Sequence, residues 1–242
     1  MNAMQTGEFI AAFREAFGPV PELPLLFRYT DEPLRPVEKV GGGFFKVLAQ
    51  ARGGQPVGLN AANIGCGGGK FYTGFSPMPE FVPQFVSLRE RYKQTPEMVL
   101  EFIAALDLRP APKAWIEFVR VDAAGTFEGA EGVLFFATPD VLAGLVTWAG
   151  FDNDAPDAVA APFGSGCSTV VSQAVRENRN GGHRCFLGLF DPSVRPWVGA
   201  DELCFVIPMS RFAEMCGTMR ASCLFGTHAW DKVRERINNV NL

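Results

Sequence analysis

The sequence predicts an α+β fold, a largely antiparallel sheet with packed helices, built partly from two tandem helix-strand-strand-helix units. Three observations lead there. Hydrophobic residues are 48% of the 242 and charged ones 20%, with 22 Phe, enough to fill a sizeable interior in one globular domain over 1–242. Apolar residues recur at helical spacing in some stretches and as short strand-like runs in others. The third is a recurrence at an offset of 70: Glu131–Ala143 lies over Asp201–Ala213 without gaps, each an apolar strand, a proline, a helix cap and an apolar-faced helix. Upstream, Trp115–Val119 lies over Cys185–Leu189, and the helical Glu97–Leu106 over Cys167–Arg176. The units therefore run over 95–149 and 166–217.

In chain order, Phe9, Ile10, Phe13 and Phe17 share one helix face that Gly18-Pro19 ends. Leu23–Arg28 is a strand, followed by a proline-bearing connection. Gly41–Gly43 opens a helix through Phe44, Phe45, Val47 and Leu48, and Pro56–Leu59 is a strand that runs into a glycine-rich loop. Phe71–Phe75 alternates apolar with polar or small residues, and Ser76–Pro83 is a loop placed to cover what precedes it. Thr95-Pro96-Glu97 begins a helix in the ordinary way, with a capping hydroxyl and proline in the first turn. Gly217–Ile237 closes the chain as a helix with a charged face.

The chemistry concentrates in two loops of small residues, each holding a cysteine. In Ala161–Val171 the run Gly-Ser-Gly-Cys-Ser places Cys167 at a helix N-terminus, where free backbone N–H groups and the helix dipole favour a thiolate or a bound anion. In Asn63–Lys70, Cys66 precedes Gly67, Gly68 and Gly69, whose conformational freedom would let successive N–H groups converge on an anion beside Lys70. This is no P-loop, since Phe71 stands where Ser or Thr is required. Gly166 and Ser168 flank Cys167, and the turn Phe190–Trp197 offers Asp191 and Arg195, the latter suited to a carboxylate or phosphate unless the two simply hold each other. Cys185, Cys204 and Cys216 fall at core positions, and His183 and His228 have no partner pattern.

Several classes are disfavoured. A net charge of −4 without a basic tract gives no attraction for nucleic acid. No apolar run approaches the roughly 20 residues that cross a bilayer, and the N-terminal stretch lacks the basic and apolar regions of a signal peptide, so no membrane association and a cytoplasmic location with reduced thiols are expected. The six cysteines contain no Cys-x-x-Cys, so a structural zinc site lacks its spacing.

The Asn-x-x-Cys-Gly-Gly loop leading to Tyr72 and Gly74, the central Gly-Ser-Gly-Cys-Ser, the Asp191–Arg195 turn and the closing Phe205-Val-Ile-Pro208 together resemble the bacterial and archaeal family called domain of unknown function 169, or uncharacterised ArCR, from about Phe44 to Met215. That resemblance implies no activity, cofactor or catalytic residue.

Three functional classes remain open. One is binding of a small anionic ligand or cofactor of unknown identity between the two loops, by Cys66, Gly67, Gly68, Lys70, Gly166, Ser168, Asp191 and Arg195. Another is an enzyme with Cys167 as nucleophile or redox centre. The last is a metal or iron–sulfur site through Cys66 and Cys167, completed by other ligands or by a second copy in a homo-oligomer.

Overall fold

A computed structural model describes residues 5–38 and 43–239. Within them the elements run α1 (Thr6–Phe17), β1 (Leu25–Thr30), α2 (Phe44–Arg52), β2 (Val57–Leu59), α3 (Gly67–Tyr72), α4 (Val82–Gln84, prolonged as a π turn over Phe85–Arg89) and α5 (Pro96–Ala105). There follow β3 (Trp115–Arg120), α6 (Val121–Ala124), β4 (Gly132–Ala137), α7 (Pro139–Gly150), β5 (Val159–Ala160) and α8 (Ala174–Arg179), the last preceded by a π segment over Ser168–Gln173. Then come β6 (Cys185–Gly188), β7 (Leu203–Pro208), α9 (Met209–Thr218) and α10 (His228–Asn238). Gly41 and Gly42, expected to open α2, lie outside the described residues.

The strands form one sheet in the order β2-β3-β1-β4-β7-β6-β5, antiparallel at every step except β5 beside β6. Alternation along the strands sends side chains to two cores. Leu26, Val119, Val133, Phe135, Phe205 and Ile207 face a layer with α1, α7, α9 and α10, where Phe9, Phe13 and Phe17 repeat at i, i+4 and i+8 and stack along one helix face. Leu25, Phe27, Ile116, Phe118, Leu134, Phe136 and Val206 face the other layer with α2, α3, α5 and the π segment. Each fully buried Phe contributes roughly 1.5–3 kcal/mol relative to exposure. Both faces are thus covered, and the architecture is α+β.

The internal repeat meets a topological difference. Both stretches show helix, strand, strand, helix, and β4 and β7 pair with Phe135 opposite Phe205. In the second stretch β6 and β7 are antiparallel neighbours, whereas in the first β1 lies between β3 and β4. An early strand therefore occupies the place where a hairpin would have closed. One further expectation is corrected: the C-terminal helix starts only at His228, after a short 3-10 turn over Met219–Ala221.

Candidate functional site

The site lies on the α2 and α3 side of the sheet. The first loop is held by its asparagines. Asn63 Nδ2 donates to the carbonyls of Val37 at 2.8 Å and Gly58 at 3.2 Å, and its Oδ1 accepts the Asn60 N–H at 2.7 Å. Buried amide groups satisfied on both sides hold a loop in one conformation. Cys66 thereby stands as the residue that opens α3, and Gly67, Gly68 and Gly69 form its first turn. None of the three glycines has a positive φ, so the anion-cradling conformation expected of them does not form. Gly69 is needed for space: a Cβ there would sit 2.9 Å from Cys66 Sγ and 2.9 Å from Ile64 Cγ2.

The second loop leads into a helix over residues 166–179 with Cys167 in its first turn. Ser165 caps it, its carbonyl accepting from Ser168 N at 2.9 Å and from Ser168 Oγ at 2.6 Å. The chain then widens into the fully buried π segment, which seats Thr169 against β6; a Cβ at Gly188 would lie 2.3 Å from Thr169 Cγ2. Wide π turns inside α-helices recur at functional sites. Ser172 Oγ donates to the Tyr72 carbonyl at 2.8 Å and so ties the two loops together.

Asp191 completes the floor. Leu189 leaves β6 with φ 71°, a left-handed conformation that costs a non-glycine residue about 1 kcal/mol or more, and this turns the chain so that Asp191 is buried. The Asp191 carboxylate accepts from Ser193 N at 2.9 Å, from Ser193 Oγ at 2.9 Å and from Gly166 N at 3.4 Å. A negative charge therefore already occupies the helix end beside Cys167.

That placement decides where the thiolate sits. Cys66, partly exposed, and Cys167, buried, line the same cavity and interact. The Cys167 thiol lowers the Cys66 pKa to about 6, against the opposing effect of burial and with help from the N–H groups of Phe44 and Gly69. The same interaction, with burial and the charges of Cys66 and Asp191, pushes the Cys167 thiol well up. The helix N-terminus was expected to ionise Cys167; Asp191 compensates it, and the geometry gives the charge to Cys66. Cys185 and Cys216 are pushed up to about 12 by burial.

Both cysteines open onto a cavity of about 520 Å³ with mostly aromatic and aliphatic walls. Phe44 and Phe45 come from α2, Phe71 and Tyr72 from α3, Phe102 from α5, and Phe163 and Trp197 from loops. A strap over 79–93 closes one side with Pro79, Phe81, Val82, Phe85 and Val86. Tyr92 meets the loop opposite the strap: its ring lies edge-on to Phe163 with centroids 6.0 Å apart. Lys93 Nζ lies 5.5 Å from the Phe102 ring centre and 5.8 Å from that of Phe163.

Of the residues expected at the site, Cys66, Gly67, Gly68, Gly166, Cys167 and Asp191 line this cavity. Ser168, Lys70 and Arg195 do not. Ser168 is buried on the Ser165 carbonyl, and Arg195 donates to the carbonyls of Glu202, Gly199 and Ala200 rather than to Asp191. Among the described residues no three His, Cys, Asp or Glu side chains come together to hold a metal ion. No helix among them is long and apolar enough to cross a membrane.

Compared with known families, residues 44–218 match the one described as domain of unknown function 169, uncharacterised ArCR. The chain belongs to this family. No curated protein and no solved structure matches it. The matched part of the domain of unknown function 169 chain runs from the start of α2 to the end of α9 and takes in both cysteines, the strap and Asp191. β1, the strand that separates β3 from β4, lies outside it, as do α1 and α10.

Proposed function

We propose that this chain binds a small, predominantly apolar molecule in the cavity between the two cysteine loops and presents the Cys66 sulfur to its polar or electrophilic end. One observation carries the reading: a partly exposed sulfur of lowered pKa faces an aromatic-walled hollow of about 520 Å³, a size and character typical of small-molecule sites. The two cations expected for an anionic ligand, Lys70 and Arg195, are not at the wall, where Lys93 lies over the Phe102 and Phe163 rings and the carboxylates of Asp191 and Glu90 also take part. Apolar contact, rather than charge, is the larger source of affinity there. A second reading, favoured by the lowered Cys66 pKa, makes that sulfur a nucleophile toward the bound molecule.

Gly68 supplies the test. A Cβ at this position meets nothing within 4 Å, and the residue lines the cavity, so Gly68→Trp fills the hollow without a clash at the backbone. Titration with a fluorescent naphthyl probe should show saturable binding to the wild-type protein and loss of it in Gly68→Trp at an unchanged melting temperature. Equal binding by both proteins, or none by the wild type, overturns the reading.

A further inference from the structure

We infer that Cys66 and Cys167 form a redox-active dithiol–disulfide couple, with Cys66 as the attacking and Cys167 as the resolving sulfur. This deepens the reading above and rests on it for the access of a reactant to Cys66.

The argument starts from position. The two cysteines come from loops about a hundred residues apart, yet their side chains line one cavity, near enough for each to perturb the ionisation of the other. Their surroundings differ in the way an ordered pair requires. Cys66 is partly exposed beside Gly67 and Gly68, so a reactant entering the hollow reaches its sulfur first. Cys167 is 6% exposed and lies behind it, screened from an outside reagent but not from Cys66. The four remaining cysteines line no part of this wall. A disulfide needs its sulfurs at about 2.05 Å, so its formation requires the two side chains to rotate toward each other along the wall they share. Gly69 leaves the Cys66 sulfur no Cβ to pass at its α3 neighbour.

The chemistry balances with a small disulfide, RSSR, as oxidant. The Cys66 thiolate attacks one sulfur of RSSR, forming Cys66–S–S–R and releasing RS⁻, which takes a proton from water. Cys167 then gives up its proton to solvent through the open cavity and attacks Cys66 Sγ, forming the Cys66–Cys167 bond and releasing a second RS⁻, which is protonated in turn. Counted from the dithiol, whose Cys66 proton has already passed to solvent, the protein loses two electrons and two protons, and RSSR becomes two RSH. A dithiol reverses both steps. Loss of the Cys66 thiolate in the oxidised form removes the charged group that faces the ligand, so the couple also sets the chemistry of the pocket.

The experiment uses the full chain and oxidised glutathione. Protein is incubated at pH 7, quenched in acid, alkylated with a maleimide and mapped by peptide mass. The couple predicts a Cys66–Cys167 cross-linked peptide and two glutathiones released per chain. In Cys167→Ser the reaction stops at a Cys66–glutathione adduct with one released, and Cys66→Ser gives neither product. If the wild type itself stops at the Cys66 adduct, the couple is refuted while the reactive Cys66 of the binding proposal stands. If Cys66 is modified by neither glutathione nor maleimide, both fail. The wild-type cross-link decides the matter even where a serine variant folds poorly, which a melting curve reports.

Discussion

A small neutral disulfide reagent offers a quantitative test of the Cys66 assignment. With its pKa lowered to about 6, Cys66 is half ionised at pH 6, whereas an ordinary thiol of pKa about 8.5 is roughly 0.3% ionised there. Intrinsic nucleophilicity falls with pKa with a Brønsted slope of about 0.4–0.5, which over about 2.5 units removes roughly a factor of 13. The two effects combine to a rate at Cys66 about tenfold above that of free glutathione at pH 6, about twofold above it at pH 7 and about tenfold below it at pH 9. The rate constant should therefore rise to a plateau above about pH 7 and cross that of the reference thiol. Stopped-flow absorbance gives both curves, and peptide mapping after a single turnover identifies the modified residue. A profile that climbs through pH 8.5 in parallel with glutathione refutes the assignment, as does modification of Cys167 before Cys66.

Three further outcomes follow from the same contacts. Between pH 6 and about 8.5 the folded chain has released the Cys66 proton and the unfolded chain still holds one, so this pair makes stability rise with pH; above about 8.5 the buried Cys167 keeps a proton that the unfolded chain loses, and stability falls. Urea midpoints should show the rise between pH 6 and about 8.5 in the wild type and lose it in Cys66→Ser/Cys167→Ser, which keeps a fall above about 8.5 from the buried Cys185 and Cys216. Arg195→Ala removes donors from three backbone carbonyls and should cost about 2–4 kcal/mol by urea unfolding, with the Cys66 rate profile unchanged, as expected of a residue that holds a turn rather than a ligand. Asp191→Asn removes the charge that compensates the 166–179 helix end, so the Cys167 thiol should ionise at lower pH; alkylation of Cys167 in the Cys66→Ser background measures the shift, and an unmoved or higher value contradicts the role given to Asp191.

The sequence made some of this legible and hid the rest for identifiable reasons. Helical spacing of Phe9, Phe13 and Phe17 and the apolar runs at 115–119 and 131–137 mark elements whose pattern is local, and these the structure contains. The place of β1 between β3 and β4 depends on pairing across about a hundred residues, which no local pattern records. At the site, glycine and cysteine identities pointed to the two loops, and both border the cavity. The charge state of Cys167 is not legible locally, because the helix N-terminus beside it is compensated by Asp191, a residue 24 positions later whose burial follows from the Leu189 turn. Arg195 is occupied by backbone carbonyls of its own loop, and backbone acceptors leave no mark in residue identity. The aromatic strap leaves a readable trace: Phe81, Phe85 and Leu88 fall at i, i+4 and i+7, an apolar face on a segment whose side chains remain exposed at 63%, 41% and 62%. An apolar face that packs on no core is a signal of a ligand or partner surface.

The claim that the hollow before Cys66 selects apolar molecules is tested most directly by pairing N-phenylmaleimide with N-methylmaleimide and dividing the ratio of their rates at Cys66 by the same ratio for free glutathione. Burial of the phenyl ring against the aromatic walls should raise this normalised ratio by about tenfold or more, from the roughly 1.5 kcal/mol that such burial contributes, and Gly68→Trp should return it to one. A normalised ratio of one in the wild-type protein contradicts the account.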